Sequence, residues 1–472
     1  MSTVDVLSSL FEQYAGIPLE SLTALPRAGS NRVYYRITGG GKSAIGAFGS
    51  DPRENRAFLT LAACLRKNGV AAPEIYAEAP DGLHYLQEDL GNLSLFALLH
   101  TPEAPGLLQQ AMAQLAHMQV KGAQGFDWSN ACPTSTFDER TVCFDLHYFK
   151  YNFLKCIKTD FNEWQLEDDF DKLAACLLQC PKDYFMYRDF QSRNIMVRHG
   201  ALRFIDFQGA RRGPLAYDVA SFLFQSRARF SDAQRETLLH HYIDCVKKLT
   251  PVNRSDLVTQ FYTFGFFRGL QTLGTYGYRG LFEKKALFRQ SIPATLNNLQ
   301  ALIRSGKLGR LKTGYLFQLV NGLHFPDENF PPKHPGKLTV TVHSFSFRNG
   351  YPDDTTEHGG GFVFDCRGLV NPGAAPEFRN LTGRDRAVAD YLAQQPDVSA
   401  FLQHTFVLLD RSVARYMERG FTHLSVAFGC TGGQHRSVYC AEQMAAYLAG
   451  KYNVDIRLVH REQRVAQFIP AP

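Results

Sequence analysis

The chain has 472 residues, of which 45% are hydrophobic and 20% charged, and 51 Lys and Arg against 45 Asp and Glu give a formal net charge of +6. This length exceeds one ordinary core and sets an expectation of two or three domains, while so mild a charge gives no bulk electrostatic footprint for nucleic acid. No run approaches 18 apolar residues, and the start, MSTVDVLSSLFEQYAG, lacks a basic segment and a long apolar stretch, so a cytoplasmic location is expected.

In chain order, VYYRI and SAIGAF read as two strands around the turn Thr38-Gly39-Gly40-Gly41, a hairpin. Helical periodicity follows over Arg56 to Asn68 and over Leu107 to Val120, where Leu108, Met112, Leu115 and Met118 share a face; His117 on that helix is expected to be structural. Ile195 to Arg198 and Ala201 to Ile205 read as short strands joined by His199-Gly200, and Phe261 to Tyr278 and the run to Ile303 read as helical. The segment HFPDENFPPKHPGK, with four prolines, predicts an interdomain linker. Beyond it Leu338 to Phe345 and Phe362 to Cys366 predict strands, and Arg384 to Gln394 and Val398 to Arg419 helices. Strand Thr422 to Phe428, helix Ser437 to Ala449 and strand Asp455 to Val459 complete a parallel α/β unit.

Phosphoryl-transfer chemistry concentrates in YRDFQSRNIMVRHGALRFIDFQGARRGPLAYDVA, Tyr187 to Ala220. In an antiparallel hairpin the start of one strand lies beside the end of its partner, so Asn194 and Asp206 come out side by side, and two hard oxygen ligands suit Mg²⁺. Asp189, on the preceding loop, is then near enough to accept the proton of an incoming hydroxyl. Base, amide ligand and carboxylate ligand are the parts that transfer a γ-phosphoryl group to an alcohol.

Asp-x-x-x-x-Asn followed by Ile-Asp-Phe resembles the signature of the kinase-like aminoglycoside phosphotransferase and choline kinase superfamily. With SNRVYYRI and QEDLGN, the motifs look most like its bacterial N-acetylmuramate/N-acetylglucosamine anomeric kinase group, over about residues 20 to 310. The resemblance implies a bilobal protein-kinase-like fold using ATP and Mg²⁺, with Asp189 as base and Asn194 and Asp206 on the metal. It further implies that Gln87, Glu88 and Asp89 form the hinge that meets adenine, that the loop Ala28-Gly29-Ser30-Asn31-Arg32 covers the phosphates, and that Asp218 supports the catalytic loop. Strand Ser43 to Phe48 has no lysine in the phosphate-binding position; Lys42, Arg32 and Arg53 are the candidates for that cation. Glu54 could pair with it or start a helix in solvent. Gly41-Lys42-Ser43 is not a P-loop, because Arg36 stands where the first glycine belongs.

The second constellation is FGCTGGQHRSVY, Phe428 to Tyr439. Gly429, Gly432 and Gly433 allow backbone N–H groups to converge on an anion at a helix start, and Arg436 adds a forked donor. Cys430, six residues before Arg436, has the spacing of the cysteine-phosphatase loop, with Asp353, Asp354 or Asp365 as possible acids. The other cysteines, ten in all with Cys430, suggest neither a disulfide framework nor a zinc site.

HSFSFRNGYPDD, VFDCRGLVNP, LTGRD and GCTGGQHRSVYCAE resemble the RapZ C-terminal domain over about residues 338 to 465. That family's domain binds glucosamine-6-phosphate and, in enteric bacteria, a small regulatory RNA. The resemblance implies a phosphate seat of Gly429, Cys430, Thr431, Gly432, Gly433, Gln434, His435, Arg436 and Ser437. Asp365, Arg367 and Asn371 would line a neighbouring polar site, with His343 and Ser344 as weaker candidates. From Lys337 onward 14 Lys and Arg face 13 Asp and Glu, which gives RNA no support.

The expected architecture is mixed α/β and α+β in two domains: a kinase-like phosphotransferase over 1–325, a Pro-rich linker over 326–337 and a small α/β phosphate-binding domain over 338–472. The expected function is an ATP-dependent kinase acting on an amino-sugar hydroxyl, fused to a module that senses an amino-sugar phosphate such as glucosamine-6-phosphate. The alternatives are a regulatory or RNA-binding adaptor on a non-catalytic kinase fold, and a bifunctional kinase and cysteine phosphatase.

Overall fold

The computed structural model describes residues 2–26, 32–309, 311–325, 336–352 and 361–471. Contacts divide the chain into two compact units, Met1–Thr275 with Ala294–Leu323, and Tyr276–Pro293 with His324–Pro472. Most of the expected linker lies outside the described residues.

The first unit opens with helix α1 (Thr3–Ala15), started by a reciprocal capping box between Ser2 and Asp5. An antiparallel sheet follows, built from β1 (Ser21–Ala24), β2 (Val33–Gly39), β3 (Lys42–Phe48), β4 (Ile75–Glu78) and β5 (His84–Glu88) in the order β1-β2-β3-β5-β4. The expected hairpin is β2–β3, but its turn is only Gly40-Gly41, with φ of 54° and 77°; both φ values are positive, which glycine tolerates without strain. Leu7, Leu10 and Phe11 of α1 pack on Ile37, Ala44 and Leu86, covering one face of the sheet.

Side chains alternate along a strand, so Ala47 faces away from α1, together with its cross-strand partners Tyr34 and Tyr85. That second face meets helix α2 (Pro52–Lys67), capped by Asp51 with proline in the first turn. The Phe58 ring of α2 stacks on Tyr85 at 5.5 Å and on Phe207 at 4.9 Å.

The rest of this unit is mainly helical. Helix α3 (Ala104–His117) carries the expected apolar face, and His117 bonds the Asn68 carbonyl at 3.0 Å, a structural role. Two small hairpins, β6 (Tyr184–Met186) with β9 (Arg211–Gly213) and β7 (Ile195–Arg198) with β8 (Ala201–Phe204), carry the catalytic segment. Behind them lie α4 (Leu215–Leu223), buried at every residue, and α5 (Arg254–Tyr276).

The second unit is a five-stranded sheet in the order β11-β12-β10-β13-β14, from β10 (Thr339–Ser346), β11 (Gly361–Asp365), β12 (His423–Cys430), β13 (Asp455–His460) and β14 (Val465–Ile469). All pairs are parallel except β13–β14; the antiparallel edge β14 was not anticipated. Helices α6 (Arg386–Ala393), α7 (Pro396–Glu418) and α8 (Arg436–Lys451) pack on it around Val340, Val342, Val426, Phe428, Leu448 and Ile456. Among the described residues no helix is long and apolar enough to cross a membrane.

Phe11 is fully buried between α1 and the sheet. Phe11→Ala should cost about 3–5 kcal/mol in the transition that reports the first unit, measured by urea denaturation, and leave the second unit's transition unmoved.

Candidate functional site

The catalytic segment is held from beneath by one carboxylate. Asp218, fully buried on α4, accepts the backbone N–H of Tyr187 at 2.8 Å and of Arg188 at 2.9 Å, and the Gln119 amide at 3.0 Å. Burial is the main influence and lifts the Asp218 carboxyl to about 7, against the lowering effect of these donors. Tyr187 adds a second tie, its hydroxyl donating to the Ile205 carbonyl just before the metal-ligand position. Arg188 sits at φ 75° and pairs with buried Asp145 at 3.1 Å. So braced, the chain turns and presents Asp189 with its side chain 48% exposed.

Asn194 and Asp206 do meet at one hairpin end. The Asn194 amide donates to Asp206 Oδ2 at 3.1 Å and to the Asp189 carbonyl at 2.9 Å, tying base loop and ligand pair together. Gln208 donates to Asp206 Oδ1 at 2.9 Å, a contact the sequence did not reveal. Burial, and next the charge of Asp189, push the Asp206 carboxyl up. Among the described residues no group of three or more His, Cys, Asp or Glu could hold a metal ion alone. Asn194 and Asp206 are the residues that could hold Mg²⁺, since both offer hard oxygen donors at one place.

Behind the base, Arg268 of α5 approaches Asp189 at 4.0 Å while donating to the Tyr217 hydroxyl at 2.8 Å and the Ser221 hydroxyl at 3.0 Å. Sequence reading made this segment helical without identifying Arg268, because nothing in the chain order links positions 189 and 268.

The nucleotide residues divide. Gly29, Ser30 and Asn31 lie outside the described residues. Gln87 is buried on the same sheet face as Ile45, its side-chain oxygen without a partner. The side chains of Glu88 and Asp89 serve the scaffold instead: Glu88 pairs with Arg198 at 3.0 Å, and Asp89 pairs with Arg36 at 2.8 Å and caps the Gly91 N–H at 3.0 Å. The Lys42 ammonium binds the Ala15 carbonyl at 3.0 Å beside Tyr14, at the turn end of the hairpin. Arg53 is 82% exposed and paired with Asp51. Arg32, at the opposite end of β2, is buried and lies 3.6 Å from Glu54.

In the second unit the loop Gly429–Ser437 leaves the C-terminal end of β12, beside the ends of β10 and β11, where parallel sheets present ligand sites. Gly429 pairs with Asp365 and Cys430 with Ser346. Gly433 has φ 67°, and its N–H donates to Cys430 Sγ at 3.2 Å. The thiol also lies 3.1 Å from the Ser437 hydroxyl. Thr431 contributes its carbonyl, which accepts from Ser346 Oγ at 2.7 Å.

Gln434 and His435 point away from the loop and anchor it: Gln434 donates to the Leu381 carbonyl at 2.7 Å, and His435 to the Phe378 carbonyl at 2.8 Å. Gly373 lies under the His435 ring, with Asn371 next to it. Arg436 is buried, one guanidinium nitrogen donating to the carbonyls of Arg367 and Leu369, while Nε has no partner among the described residues. Arg367 clasps Asp365 at 2.7 Å and lies 4.1 Å over the Phe347 ring, and its hydrogen bonds hold the Asp365 carboxyl below the usual range. Asp353 and Asp354 lie outside the described residues.

Sequence reading missed Glu462, whose carboxylate accepts from Ser346 N at 3.1 Å and Asn349 Nδ2 at 2.8 Å and packs beside Gly433. Ser344 is fully buried, bonded to His460, which bonds Glu442 at 3.1 Å; this chain ties β10 to β13 and α8.

A five-stranded antiparallel sheet followed by the two small hairpins that bring Asp189, Asn194 and Asp206 together defines a protein-kinase-like phosphotransferase fold, and a small α/β domain with a glycine-containing strand-to-helix loop follows it. Residues 21–251 match the family described as the phosphotransferase enzyme family, and residues 338–464 match the RapZ C-terminal domain; the chain carries one domain of each.

Among curated relatives, a nucleotide-binding protein of Xylella fastidiosa is 44% identical over 133 residues, 28% of this chain and 44% of its own length. One from Rhodospirillum rubrum is 43% identical over 122 residues, 26% of this chain and 37% of its own. This chain thus spans less than half of these relatives. Similar solved structures include a choline/ethanolamine kinase family protein from Mesorhizobium loti, at TM-score 0.47 and 15% identity, covering 68% of this chain and 99% of that one. Another is a thermostable mutant of aminoglycoside phosphotransferase APH(4)-Ia in ternary complex with ADP and hygromycin B, at TM-score 0.45 and 16% identity over 64% and 99%.

Asp218 binds its proton more tightly folded than unfolded, so its contribution to stability is fully present below the ordinary carboxylate range and is lost as pH rises through about 7. The stability difference between wild type and Asp218→Asn should therefore shrink by about 2 kcal/mol from pH 5 to pH 8 in the first unit's unfolding transition. A constant difference would place the proton elsewhere.

Proposed function

We propose that the first unit transfers the γ-phosphoryl group of ATP to a hydroxyl of an amino sugar, and that the second unit binds an amino-sugar phosphate such as glucosamine-6-phosphate. The single observation that carries the kinase reading is the Asn194 amide joined at once to Asp206 and to the Asp189 loop. It fixes a base and two ligand side chains within one hydrogen-bonded group.

In this reading Asp189, solvent-accessible and beside Arg268, accepts the proton of the acceptor hydroxyl as its oxygen attacks phosphorus. Asn194 and Asp206 offer the oxygens for Mg²⁺, which when bound neutralises phosphate charge. Asp218 acts as a positioning residue through the backbone of Tyr187 and Arg188. The assignment of the acceptor as an amino sugar rests on sequence resemblance, reinforced by the presence on the same chain of a domain whose family is associated with amino-sugar phosphate.

For the second unit, the glycine-containing loop at the C-terminal end of the parallel strands and at a helix start supports a phosphate seat. Buried Arg436 keeps guanidinium donors for a ligand, Nε among them having no partner among the described residues. Cys430, contacted by Ser437 and Gly433, has the setting of a nucleophile as well as of a loop brace. Asp365 favours the brace: clasped by Arg367 and held ionised, it has no proton to give a leaving oxygen.

With Mg-ATP and a panel of N-acetylated sugars, the protein should release ADP, and Asp189→Asn should lower kcat about 10²–10⁴-fold. Equal rates in the two proteins would overturn the base assignment, and no release with any sugar would remove the sugar-kinase reading. By calorimetry, glucosamine-6-phosphate should bind the full chain, with Arg436→Ala abolishing binding and Cys430→Ser retaining it. Release of inorganic phosphate that Cys430→Ser eliminates would make the loop a phosphatase instead.

A further inference from the structure

The cleft face of the first unit's sheet holds a cation that its surroundings do not satisfy. Arg32 lies two residues before Tyr34, so it projects from the same face as Tyr34, Ala47 and Tyr85. Its side chain is 3% exposed, yet none of its three guanidinium nitrogens has a hydrogen bond of ordinary geometry among the described residues, the neighbouring Tyr34 hydroxyl interacting with it only weakly. One carboxylate, Glu54 on α2, approaches at 3.6 Å, too long for a hydrogen bond. The guanidinium lies 5.8 Å from the Phe58 ring centre, and Phe58 stacks on Phe207, the residue after Asp206. Arg32 thus faces the same aromatic platform that carries the metal-ligand segment.

A buried guanidinium without hydrogen bonds is costly, and such a group calls for an explanation in terms of what completes it. Phosphate oxygens fit: they match the planar fork of arginine in pairs and are drawn to a site flanked by a metal position. The neighbouring strand leaves the space. Ala47, directly opposite Tyr34 on β3, is fully buried and too short to reach across the cleft. Lys42 and Arg53 are committed elsewhere, to the Ala15 carbonyl and to Asp51.

We infer that Arg32, the residue just before β2 and oriented by Glu54, is the group that grips the non-transferred phosphates of the nucleotide, taking over from β3 the function of the lysine that this chain lacks. This rests on the ATP-using reading of the first unit. The consequence is a phosphate clamp at the start of β2, with arginine in place of a point charge.

The test measures binding of Mg-AMP-PNP and of adenosine to the full chain. Arg32→Ala should weaken Mg-AMP-PNP about 10–100-fold, the scale of one or two charge-assisted hydrogen bonds, while adenosine binds unchanged. Arg32→Lys should fall between the two. The double variant Arg32→Ala with Ala47→Lys, which returns a cation to β3, should recover part of the loss. Unchanged Mg-AMP-PNP affinity in Arg32→Ala would overturn the inference while leaving the kinase reading intact. Parallel loss of adenosine would also overturn it, because the arginine would then serve the fold. A wild-type chain that binds adenosine and Mg-AMP-PNP equally weakly would remove the ATP reading and the clamp together.

Discussion

The catalytic half of the first unit hangs on the Asp218 carboxylate. Two consecutive backbone N–H groups, those of Tyr187 and Arg188, end on it, and Arg188 is thereby held in a left-handed backbone conformation that arginine rarely adopts. The turn points Asp189 outward, and the Asp189 carbonyl in turn fixes the Asn194 amide. A carboxylate buried inside an all-buried helix is expensive, and it is kept because three donors converge on it. The same burial makes its proton hard to remove, so loop geometry and protonation are coupled in one residue.

Much of this site was legible because it is local. Asp189, Asn194 and Asp206 lie within eighteen positions of one another, and an antiparallel hairpin with a His199-Gly200 turn leaves few ways to arrange its ends. The support from Asp218 came through resemblance, and the structure supplies its physical form. What could not be read was anything decided by which face a side chain takes or which distant element meets it. Arg32, Lys42 and Arg53 are equal candidates in a linear sequence; strand alternation and the docking of α1 separate them. Glu88 and Asp89 look like free acids at a hinge until Arg198 and Arg36, far along the chain or two strands over, are found against them.

The second unit follows the same rule. The strand, loop and helix around Cys430 are contiguous and were readable, down to the parallel sheet. Gln434 and His435 looked like ligand contacts because they sit inside the glycine loop, but their side chains are spent on the carbonyls of Leu381 and Phe378, some fifty positions earlier. Glu462 was invisible for the converse reason: it lies after β13 and reaches the loop only because β13 is the neighbour of β10.

In the proposed reading, the two units hold phosphate by opposite means. In the first, full charges are stored in low-dielectric surroundings: Asp206 with its carboxyl pushed up by burial and by Asp189, and Arg32 without hydrogen bonds. Each is unfavourable alone, and a metal ion with phosphates would relieve both at once, so affinity there depends on the two arriving together. In the second, the loop relies on backbone N–H groups and a helix start, which are oriented in advance by Gly433, Gln434 and His435, with one buried arginine as its charge. Such a seat needs no metal and little rearrangement. The first arrangement suits a transient, charge-shifting reaction; the second suits reversible occupancy by an intact phosphate ester.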